Sequence, residues 1–566
     1  MERETGLEPA TSNLGSDLAL ADLRSQARST HRVILDPSMD VPGSLLLFGL
    51  SALLTGQEPA AAPVLRVTAR LVEVGVVVHH KNGPVTDLTE DDFKIFDRGK
   101  RQKIAVFQKN GARFTRQASA PADPDVFTNR SEANPDEPRG VTIFLLDALN
   151  TQFSDQLQAK KEFLKLLGQI RPDDRMGVYM LGRELRVLQE FTSDSRRLTE
   201  AVQRAPVEFT RQMDVFRDPN ESDTSKDQAK VDRALITASA IEAIAKQMAG
   251  VPGRKNLIWI SAAFPIELNK TRLAEPLRTG GAASLPPDQG PAPGGEAGSR
   301  RIVVRLRTGD KNVRRFTPEV DRITRALNAA NITMYPVDAR GLLLVPDEPP
   351  LPSPSGFATM ELVASQTGGV AFHDTNDIHG AISKALEDSE ASYTLGFYPD
   401  SGQLDSSFHA LKVEVNRPDV EVRARKGYIA APEEKPTGPG WTGQAVEALM
   451  SPLEESGIAL AARLDRVNKQ LAIRVAGSDL AFDRDGDHWN GELDVVFARQ
   501  AADGHRLETS EKLVHLKPTA SEYEALVKQG ISFTVPFPPP GAAQVRVVVL
   551  DRNSGRVGSL AIPLGN

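Results

Sequence analysis

The sequence predicts a mixed α/β fold, with a doubly wound, mostly parallel sheet at its centre, flanked by an N-terminal and a C-terminal β-sandwich domain. Two patterns predict this organisation. From residue 140 onward, apolar runs typical of strands buried on both faces alternate with amphipathic helical segments, as in βαβ units. Before and after that region, short stretches rich in β-branched residues are separated by turn signals, which is typical of antiparallel sandwiches.

Length and composition limit the classes of protein that need to be considered. At 566 residues the chain is longer than one hydrophobic core usually organises, so several domains are expected. Acidic residues outnumber basic ones by 75 to 68, and the net charge of -7 supplies no basic field for nucleic acid. The sequence contains no cysteine, which excludes disulfides, thiolate metal sites and cysteine nucleophiles.

The N-terminal region predicts export. The apolar run Ser44–Leu54 is too short to span a bilayer but suits a signal peptide, and small residues follow at Ala60–Ala62. Residues 1–38 show no helical or strand period, so we take Met39 as the true start and residues 1–62 as an upstream extension plus signal peptide. A short buried helix is the alternative. After cleavage we expect no stable transmembrane span and a periplasmic or extracellular location.

An N-terminal β domain is assigned to residues 63–114. The stretch LRVTARLVEVGVVV is rich in β-branched residues, and it leads into Asn82-Gly83, a dipeptide that tolerates the positive φ of a tight hairpin. Residues 115–139 are polar, rich in proline and without period, which predicts a linker.

The α/β domain is assigned to residues 140–398. The nearly continuous apolar run VTIFLLDALN, which contains Asp147, predicts a central parallel strand buried on both faces. The segment SDQLQAKKEFLKLLGQI predicts the helix that follows, and NLIWISAAF and ITMYPVDARG predict further strands. Residues 273–299 are rich in Gly, Pro and Ala and predict a low-complexity insertion within this domain.

Three segments complete the predicted organisation. Residues 399–431 read as a β-hairpin extension that returns to pack beside the α/β domain, and residues 432–440 as a second linker. Residues 441–566 contain alternating runs such as LAIRVAG and AQVRVVVLD, which predict a C-terminal β-sandwich.

The order of several sequence blocks resembles a known family. GVTIFLLDALNT, GVPGRKNLIWISAAFP, ITMYPVDARGL, and ASYTLGFYP with RARKGYIA are similar to blocks of the acidobacterial-type bacterial VWFA-related proteins. The similarity spans about Val64–Ala430. It implies an exported protein with a von Willebrand factor A fold and no established catalysis.

The resemblance also implies a degenerate metal-ion-dependent adhesion site. The family pattern is Asp-x-Ser-x-Ser after the first strand, a Thr from a second loop and an Asp after the fourth strand. Here Asp147 matches the first position, but Leu149 and Thr151 replace the two serines, Ser261 replaces the second Asp, and Thr224 is the candidate second-loop Thr. With one matched carboxylate, Asp147 and Thr151 would hold Mg²⁺ or Ca²⁺ only weakly, mostly through water, or no cofactor at all.

Residues at the carboxyl ends of the parallel strands form the predicted ligand-binding rim, because side chains converge there in such sheets. Asn150 and Ser154 could supply substitute oxygens, and Asp338 with Arg340 either extends the surface or forms a salt-bridged loop. For Asp147 the alternative is that it caps the strand end by accepting backbone amides. The rim residues are Asp147, Asn150, Thr151, Ser154, Ser261 and Asp338.

The acidic segment DRDGDHWNGELD has two interpretations. Asp483, Asp485 and Asp487 alternate as in a calcium loop, but Gly486 stands at the fourth position where such a loop needs glycine at the sixth, and Asp494 replaces the closing Glu. The spacing therefore favours a polar hairpin between two strands.

No enzyme signature is present in the sequence: there is no nucleophile elbow, zinc-protease histidine pair or phosphate loop. His79 and His80 are adjacent on a strand and point to opposite faces, so we expect solvated tips and not a chelating pair. We predict a non-catalytic protein that binds a protein partner or a surface ligand at the cell envelope. The alternatives are an envelope hydrolase with its site in the C-terminal domain and a purely structural envelope component.

Overall fold

The computed structural model describes residues 71–81, 83–109, 125–130, 141–168, 175–206, 222–251, 253–262, 264, 317–340, 355–373, 377–390, 392–399, 405, 407–430, 443–501, 506–536 and 541–564. The chain divides into two compact units. One comprises Thr68–Ala118 and Glu132–Pro432, and the other Met1–Val67, Ser119–Ser131 and Glu433–Asn566. The predicted signal peptide, the insertion at 273–299 and the linker at 432–440 lie outside the described residues.

The secondary-structure elements are numbered in chain order. The strands are β1 (Val72–His80), β2 (Gly83–Pro84), β3 (Phe93–Asp97), β4 (Lys100–Gln102), β5 (Val106–Lys109), β6 (Val126–Thr128), β7 (Val141–Asp147), β8 (Arg175–Leu181), β9 (Leu185–Thr192), β10 (Lys255–Ser261), β11 (Ile332–Asp338), β12 (Ser392–Phe397), β13 (Phe408–Val415), β14 (Val420–Ala424), β15 (Gly427–Ile429), β16 (Leu460–Asp465), β17 (Gln470–Val475), β18 (Asp483–Asp485), β19 (His488–Gln500), β20 (Arg506–Leu516), β21 (Ile531–Pro536), β22 (Gln544–Asp551) and β23 (Val557–Pro563). The α-helices are α1 (Phe153–Leu167), α2 (Ser195–Arg204), α3 (Asp223–Met248), α4 (Thr317–Ala329), α5 (Ser355–Thr367), α6 (Ile378–Glu390), α7 (Gly443–Met450) and α8 (Ala520–Gln529).

The α/β region of the first unit is built on a five-stranded sheet in the order β11-β10-β7-β8-β9. Strand β7 lies in the middle and is parallel to β8 and β10, β11 is parallel to β10, and β9 runs antiparallel at one edge. The chain leaves β7 towards β8 and later returns to the other side of β7 with β10. The strand order therefore reverses between β7 and β10, which is where such sheets place their sites.

Helices cover both faces of this sheet. On one face α1, α2 and α6 share an apolar core with the strands, in which the rings of Phe144 and Phe163 lie 4.5 Å apart. On the other face Ile241 of α3, Ile323 of α4 and Met360 of α5 meet strand residues around one small apolar cavity. All residues of β10 are buried, because a strand covered on both faces has no solvent side.

A β module is formed jointly by strands from before and after the α/β region. One sheet has the order β14-β1-β12-β5, with β2 beside β1, and the other has the order β15-β13-β3-β4. Buried side chains from both segments, including Val74, Ile95 and Phe397, share one core. The α/β region is thus inserted between strands of the β module.

This arrangement differs from the predicted domain boundaries. Residues 63–114 do not fold as a separate domain, 399–431 is not an appended hairpin, and β12, assigned to the α/β domain, pairs with β1 and β5. The physical reason is that β1 needs hydrogen-bonding partners on both sides, and both partners come from residues more than three hundred positions later. Local residue patterns carry no information on such distant pairing.

Buried charged residues join the β module to the amino-terminal edge of the central sheet. Lys255 opens β10 with 2% of its surface exposed, near Glu73 of β1, and its Nζ donates to the carbonyl of Val251. Asn331 Nδ2 donates to Glu73 Oε2 at 3.1 Å. Beside them the buried Arg254 donates through Nη2 to the Tyr335 hydroxyl at 2.8 Å.

Replacing Lys255 with methionine is expected to stabilise the protein near neutral pH. Burial lowers the pKa of Lys255 from 10.5 to about 8, opposed by the charge of Glu73. Between those two pH values the unfolded chain holds a proton that the folded protein has released. The loss of unfolding free energy caused by burying the charged lysine is therefore complete below pH 8 and decreases towards pH 10.5. Lys255→Met should therefore raise the free energy of unfolding by about 3 kcal/mol at pH 7.

Urea unfolding at a series of pH values measures this effect. The gain of Lys255→Met over the unmodified protein should shrink as the pH rises from 8 to 10.5. Lys412→Met, at an exposed strand position, serves as the control, and its difference from the unmodified protein should not vary in this way. A constant gain for Lys255→Met across the series would contradict the expected titration.

The second unit contains two sheets around one core. Their orders are β21-β17-β16-β6 and β18-β19-β22-β23, with β20 beside β19, and Ile473 and Val547 are buried between them. Strand β6 belongs to the segment 115–139 that was predicted to be a linker. Asn129 stabilises this strand, since its Nδ2 donates to the carbonyls of Glu455 and Ile458 at 2.8 Å each.

The acidic segment of the second unit forms the polar hairpin that its spacing favours. Asp483 pairs with Asn490 and Asp485 with His488, and Gly486 takes a φ of 60° in the turn. Glycine suits that position because it adopts positive φ without steric strain. Within the described part of the chain, no helix has both the length and the apolar character that a membrane span requires.

Candidate functional site

Three of the predicted rim residues end three neighbouring strands. Ser261 of β10 stands opposite Asp338 of β11, and Leu146 of β7 stands opposite Ile260, which brings Asp147 beside Ser261. Parallel strands present their carboxyl ends at one edge of a sheet, and this edge includes the point where the strand order reverses. The ends of β7, β10 and β11 therefore lie together at this edge.

Asp147 is enclosed by hydrogen-bond donors of the protein. Its Oδ2 accepts from Asn150 Nδ2 at 2.9 Å, from Trp259 Nε1 at 3.0 Å and from the Ser261 hydroxyl at 2.7 Å. Its Oδ1 accepts from the backbone N–H of Asn150 at 2.9 Å. Only 3% of the residue is exposed. The carboxylate thus has four donors and very little contact with solvent.

A buried guanidinium stands behind this carboxylate. Arg233 Nε of α3 donates to Asn150 Oδ1 at 3.0 Å, so the amide of Asn150 bridges Arg233 and Asp147. Thr237, four residues further along α3, accepts from Asn150 Nδ2 at 2.9 Å and donates to the carbonyl of Arg233 at 2.8 Å. The three polar side chains of this bridge hold Asn150 in one orientation.

The pKa shifts follow from burial. Loss of solvent raises the pKa of Asp147, while the hydrogen bonds from Asn150, Ser261 and Trp259 act in the opposite direction. Burial lowers the pKa of Arg233, and the charge of Asp147 opposes that change. The two buried residues are separated by the Asn150 amide, and the negative charge of Asp147 favours the ionised form of Arg233.

Other predicted rim residues serve local structure. Thr151, expected as a substitute metal ligand, accepts the backbone N–H of Ala262 at 3.1 Å and so ties the end of β7 to the end of β10. Asp338 accepts from the backbone N–H and Nε of Arg340 at 2.9 Å each and from its Nη2 at 2.6 Å. The structure thus has the salt-bridged loop that was one of the two alternatives for this pair.

Burial also changes which rim residues a ligand can reach. Asp147, Asn150, Thr151, Ser261 and Asp338 are at most 5% exposed. Their direct contact with a partner, predicted from the sequence, is not supported by this structure, because almost none of their surface is exposed.

Two further predicted residues, Ser154 and Thr224, are exposed and are not among the donors that enclose Asp147. Ser154 is exposed at the start of α1 and donates to Asp155 Oδ1 at 3.2 Å. Thr224 lies in the first turn of α3 and is exposed. At a rise of 1.5 Å per residue, Thr224 lies about 20 Å from Thr237 along this helix. The threonine that contacts Asn150 beside Asp147 is Thr237.

The sequence contained weak signals for the residues that were missed. Trp259 and Ser261 are two positions apart on β10 and therefore share a face, which is the face that meets Asp147. Arg233 and Thr237 are four positions apart on α3 and lie on the same side of that helix. Both spacings become informative only once β10 and α3 are known to adjoin β7.

The residues around Asp147 do not fit a divalent cation. Mg²⁺ and Ca²⁺ need several converging oxygen ligands, whereas Trp259 and the Asn150 amide direct N–H groups at this carboxylate. Leu149 is fully buried and offers no oxygen. Among the described residues, no cluster of three or more His, Asp or Glu side chains is arranged to hold a metal ion.

Four exposed residues follow β7 and β8 at the same edge of the sheet. Gln152 and Ser154 follow β7, and Arg183 and Glu184 form the turn after β8. Leu181, the last residue of β8, stands opposite Asp147, which places that turn at the carboxyl edge. Together, Gln152, Ser154, Arg183 and Glu184 form what we call the exposed rim.

Several solved structures are similar to this chain. An aerotolerance-related membrane protein from Bacteroides fragilis shares 11% identity, with 44% of this chain and 98% of that chain covered and a TM-score of 0.24. BatB from Bacteroides thetaiotaomicron shares 9%, with 45% and 98% covered and a TM-score of 0.23. The vWF domain of the type V pili tip protein Mfa5 from Porphyromonas gingivalis shares 13%, with 44% and 94% covered and a TM-score of 0.23.

TM-scores as low as these support no conclusion about the fold or the function of this chain. No protein-family model matches this chain, and no curated protein matches it.

Proposed function

We propose that this chain is a non-catalytic von Willebrand factor A-like protein that binds a protein partner or surface ligand at the cell envelope without a metal ion. The observation that carries the proposal is the closed environment of Asp147. Its two oxygens accept four hydrogen bonds from within the protein, and solvent reaches 3% of the residue. A partner carboxylate therefore has no metal ion through which to bind.

The fold and the predicted leader support the remaining parts of this proposal. The strand order and the helices on both faces support a doubly wound sheet, and ligands of such sheets bind at the carboxyl edge. The apolar run before residue 62 favours export to the periplasm or the cell exterior. The buried pair of Asp147 and Arg233 serves as a rigid support beneath a surface that makes the contacts.

The exposed rim is the surface through which we expect binding. Arg183 and Glu184 present charges of both signs, and Gln152 and Ser154 present neutral polar groups. Such groups form hydrogen bonds and ion pairs with a protein surface directly. Binding through them needs no ligand coordination by Asp147.

Pull-down from an envelope extract, with Ser154→Arg/Arg183→Glu as bait beside the unmodified chain, tests the exposed rim. We expect the double variant to recover a given partner about tenfold less, equivalent to ~1.4 kcal/mol of binding free energy. Addition of EDTA should leave recovery by the unmodified chain unchanged, since no metal ion takes part.

Arg196→Glu is the matched control for this experiment. Arg196 follows β9, whose last residue Thr192 pairs with Met176 at the start of β8, so it belongs to the opposite edge of the sheet. Its side chain is 89% exposed, and this variant should recover the partner as the unmodified chain does. Equal recovery by the rim variant would favour the purely structural alternative, and loss of the partner with EDTA would contradict the metal-free mode of binding.

A further inference from the structure

A cavity of about 390 Å³ opens in the β module where the chain passes from one sheet to the other. Strand β4 ends one sheet at Gln102, and three residues later the N–H of Ala105 donates to the carbonyl of Gly396 in the other sheet at 2.7 Å. The crossing segment supplies one part of the cavity wall, and the turn before β3 supplies another part. The lining includes Glu90, Asp91, Phe93, Arg101, Lys103 and Ile104.

The acidic wall is held in place by a capped turn. Asp92 Oδ2 accepts from the backbone N–H of Thr89 at 2.8 Å and from its hydroxyl at 3.0 Å, closing the short helix Glu90–Asp92. Both of these hydrogen bonds go to Oδ2 of Asp92. The carboxylates of Glu90 and Asp91 are exposed beside the cavity.

The basic wall consists of Arg101 on β4 and Lys103 just after it, both exposed. Within the described residues, neither these two cations nor Glu90 and Asp91 form an ion pair. Other charged residues of the same module do pair: Arg417 Nη1 lies 2.6 Å from Asp87 Oδ1, and Lys412 Nζ lies 2.7 Å from Glu414 Oε1.

An aromatic residue forms the apolar part of the lining. Phe93 is 3% exposed, and its ring lies 5.0 Å from that of Tyr393 and 5.8 Å from that of Phe107. These neighbours fix the ring in one position. Ile104 adds a second, half-buried apolar surface.

We infer that this cavity binds an amino acid or short peptide with both termini free and an apolar side chain. The ammonium group faces Glu90 and Asp91, and the carboxylate faces Arg101 and Lys103. The side chain packs on Ile104 and on the small exposed part of Phe93. The volume lies in the range of about 300–1,000 Å³ typical of small-ligand sites. Ligands with one charge leave one wall without a counter-charge, so this arrangement selects zwitterions.

Isothermal titration calorimetry of the full chain with the dipeptide Leu-Leu tests the inference. We expect measurable binding of the free dipeptide, and about tenfold weaker binding of its N-acetylated or C-amidated form, equivalent to ~1.4 kcal/mol for each lost ion pair. The absence of Leu-Leu binding, or equal binding of the blocked and free forms, would overturn the proposal.

Charge variants locate the bound dipeptide. Arg101→Glu should weaken Leu-Leu binding about tenfold, and the double variant Glu90→Lys/Arg101→Glu should regain part of the loss, because it offers both charges in reversed positions. Lys100→Glu is the matched control, since Lys100 is an exposed cation on the same strand outside the cavity lining. An equal loss of binding in Lys100→Glu would show a general charge effect and overturn the assignment to the cavity. Failure of this experiment would leave the metal-free rim untouched, since the two sites share no residue.

Discussion

The variant Asp147→Asn is expected to lose about 4 kcal/mol of unfolding free energy, although it changes one oxygen to an NH₂ group. Both oxygens of the Asp147 carboxylate face N–H or O–H groups. The NH₂ group of an asparagine side chain at this position would therefore point its hydrogens at another donor. The substitution also removes the charge that opposes buried Arg233. Loss of one partner of a buried pair leaves an uncompensated charge, which is among the larger penalties a single substitution produces.

Fluorescence can follow this unfolding, because Trp259 itself donates to Asp147. The three tryptophans are Trp259, Trp441 and Trp489, and changing the latter two to Phe leaves a single reporter in the α/β region. Urea titration in that background should show an earlier midpoint for Asp147→Asn. Ser154→Ala, at an exposed position of the same edge, should leave the midpoint where it is. A loss below about 0.5 kcal/mol, the usual size of a surface effect, would mean that the donors find other acceptors.

A second large effect is expected for Asp388→Ala, at the joint between the α/β region and the β module. Asp388 lies near the end of α6 and is fully buried. His79 Nε2 of β1 lies 2.8 Å from Asp388 Oδ1, and Arg423 of β14 donates to Asp388 Oδ2. The expectation that His79 is a solvated tip is therefore wrong. Its side chain is 24% exposed and points at a buried acid.

Removing this carboxylate leaves the guanidinium of Arg423 without its counter-charge, and we expect a loss of about 4 kcal/mol of unfolding free energy. The same urea titration measures it. Glu387→Ala, one position earlier on α6 and exposed, is the control and should change stability by less than about 0.5 kcal/mol. A double-mutant cycle with His79→Ala gives the coupling energy between His79 and Asp388, and additive losses would show that their contact contributes nothing.

The central sheet was predictable from local patterns to a large extent. The runs that became β7 and β10 are apolar throughout, and only strands covered on both faces can bury every residue. An acid at the end of such a run indicates the carboxyl edge, and Asp147, Ser261 and Asp338 do end neighbouring strands. The prediction that failed was exposure, because hydrophobicity along the chain does not reveal that Trp259 and Asn150 enclose the acid.

Local sequence patterns predicted most strands and helices of the central sheet, because side-chain periodicity and turn residues act over a few positions. They missed β6, which lies in the segment predicted to be a linker. The tertiary structure alone decided how these segments pair. Val72 pairs with Phe397 in the sheet, and Asp147 accepts a hydrogen bond from Trp259, 112 residues further along the chain. A backbone N–H donates to any acceptor of suitable geometry, and a carboxylate accepts from any such donor. The local sequence therefore cannot specify the partner. The burial of Asp147 and the composite β module therefore depend on contacts between residues that are far apart in the sequence.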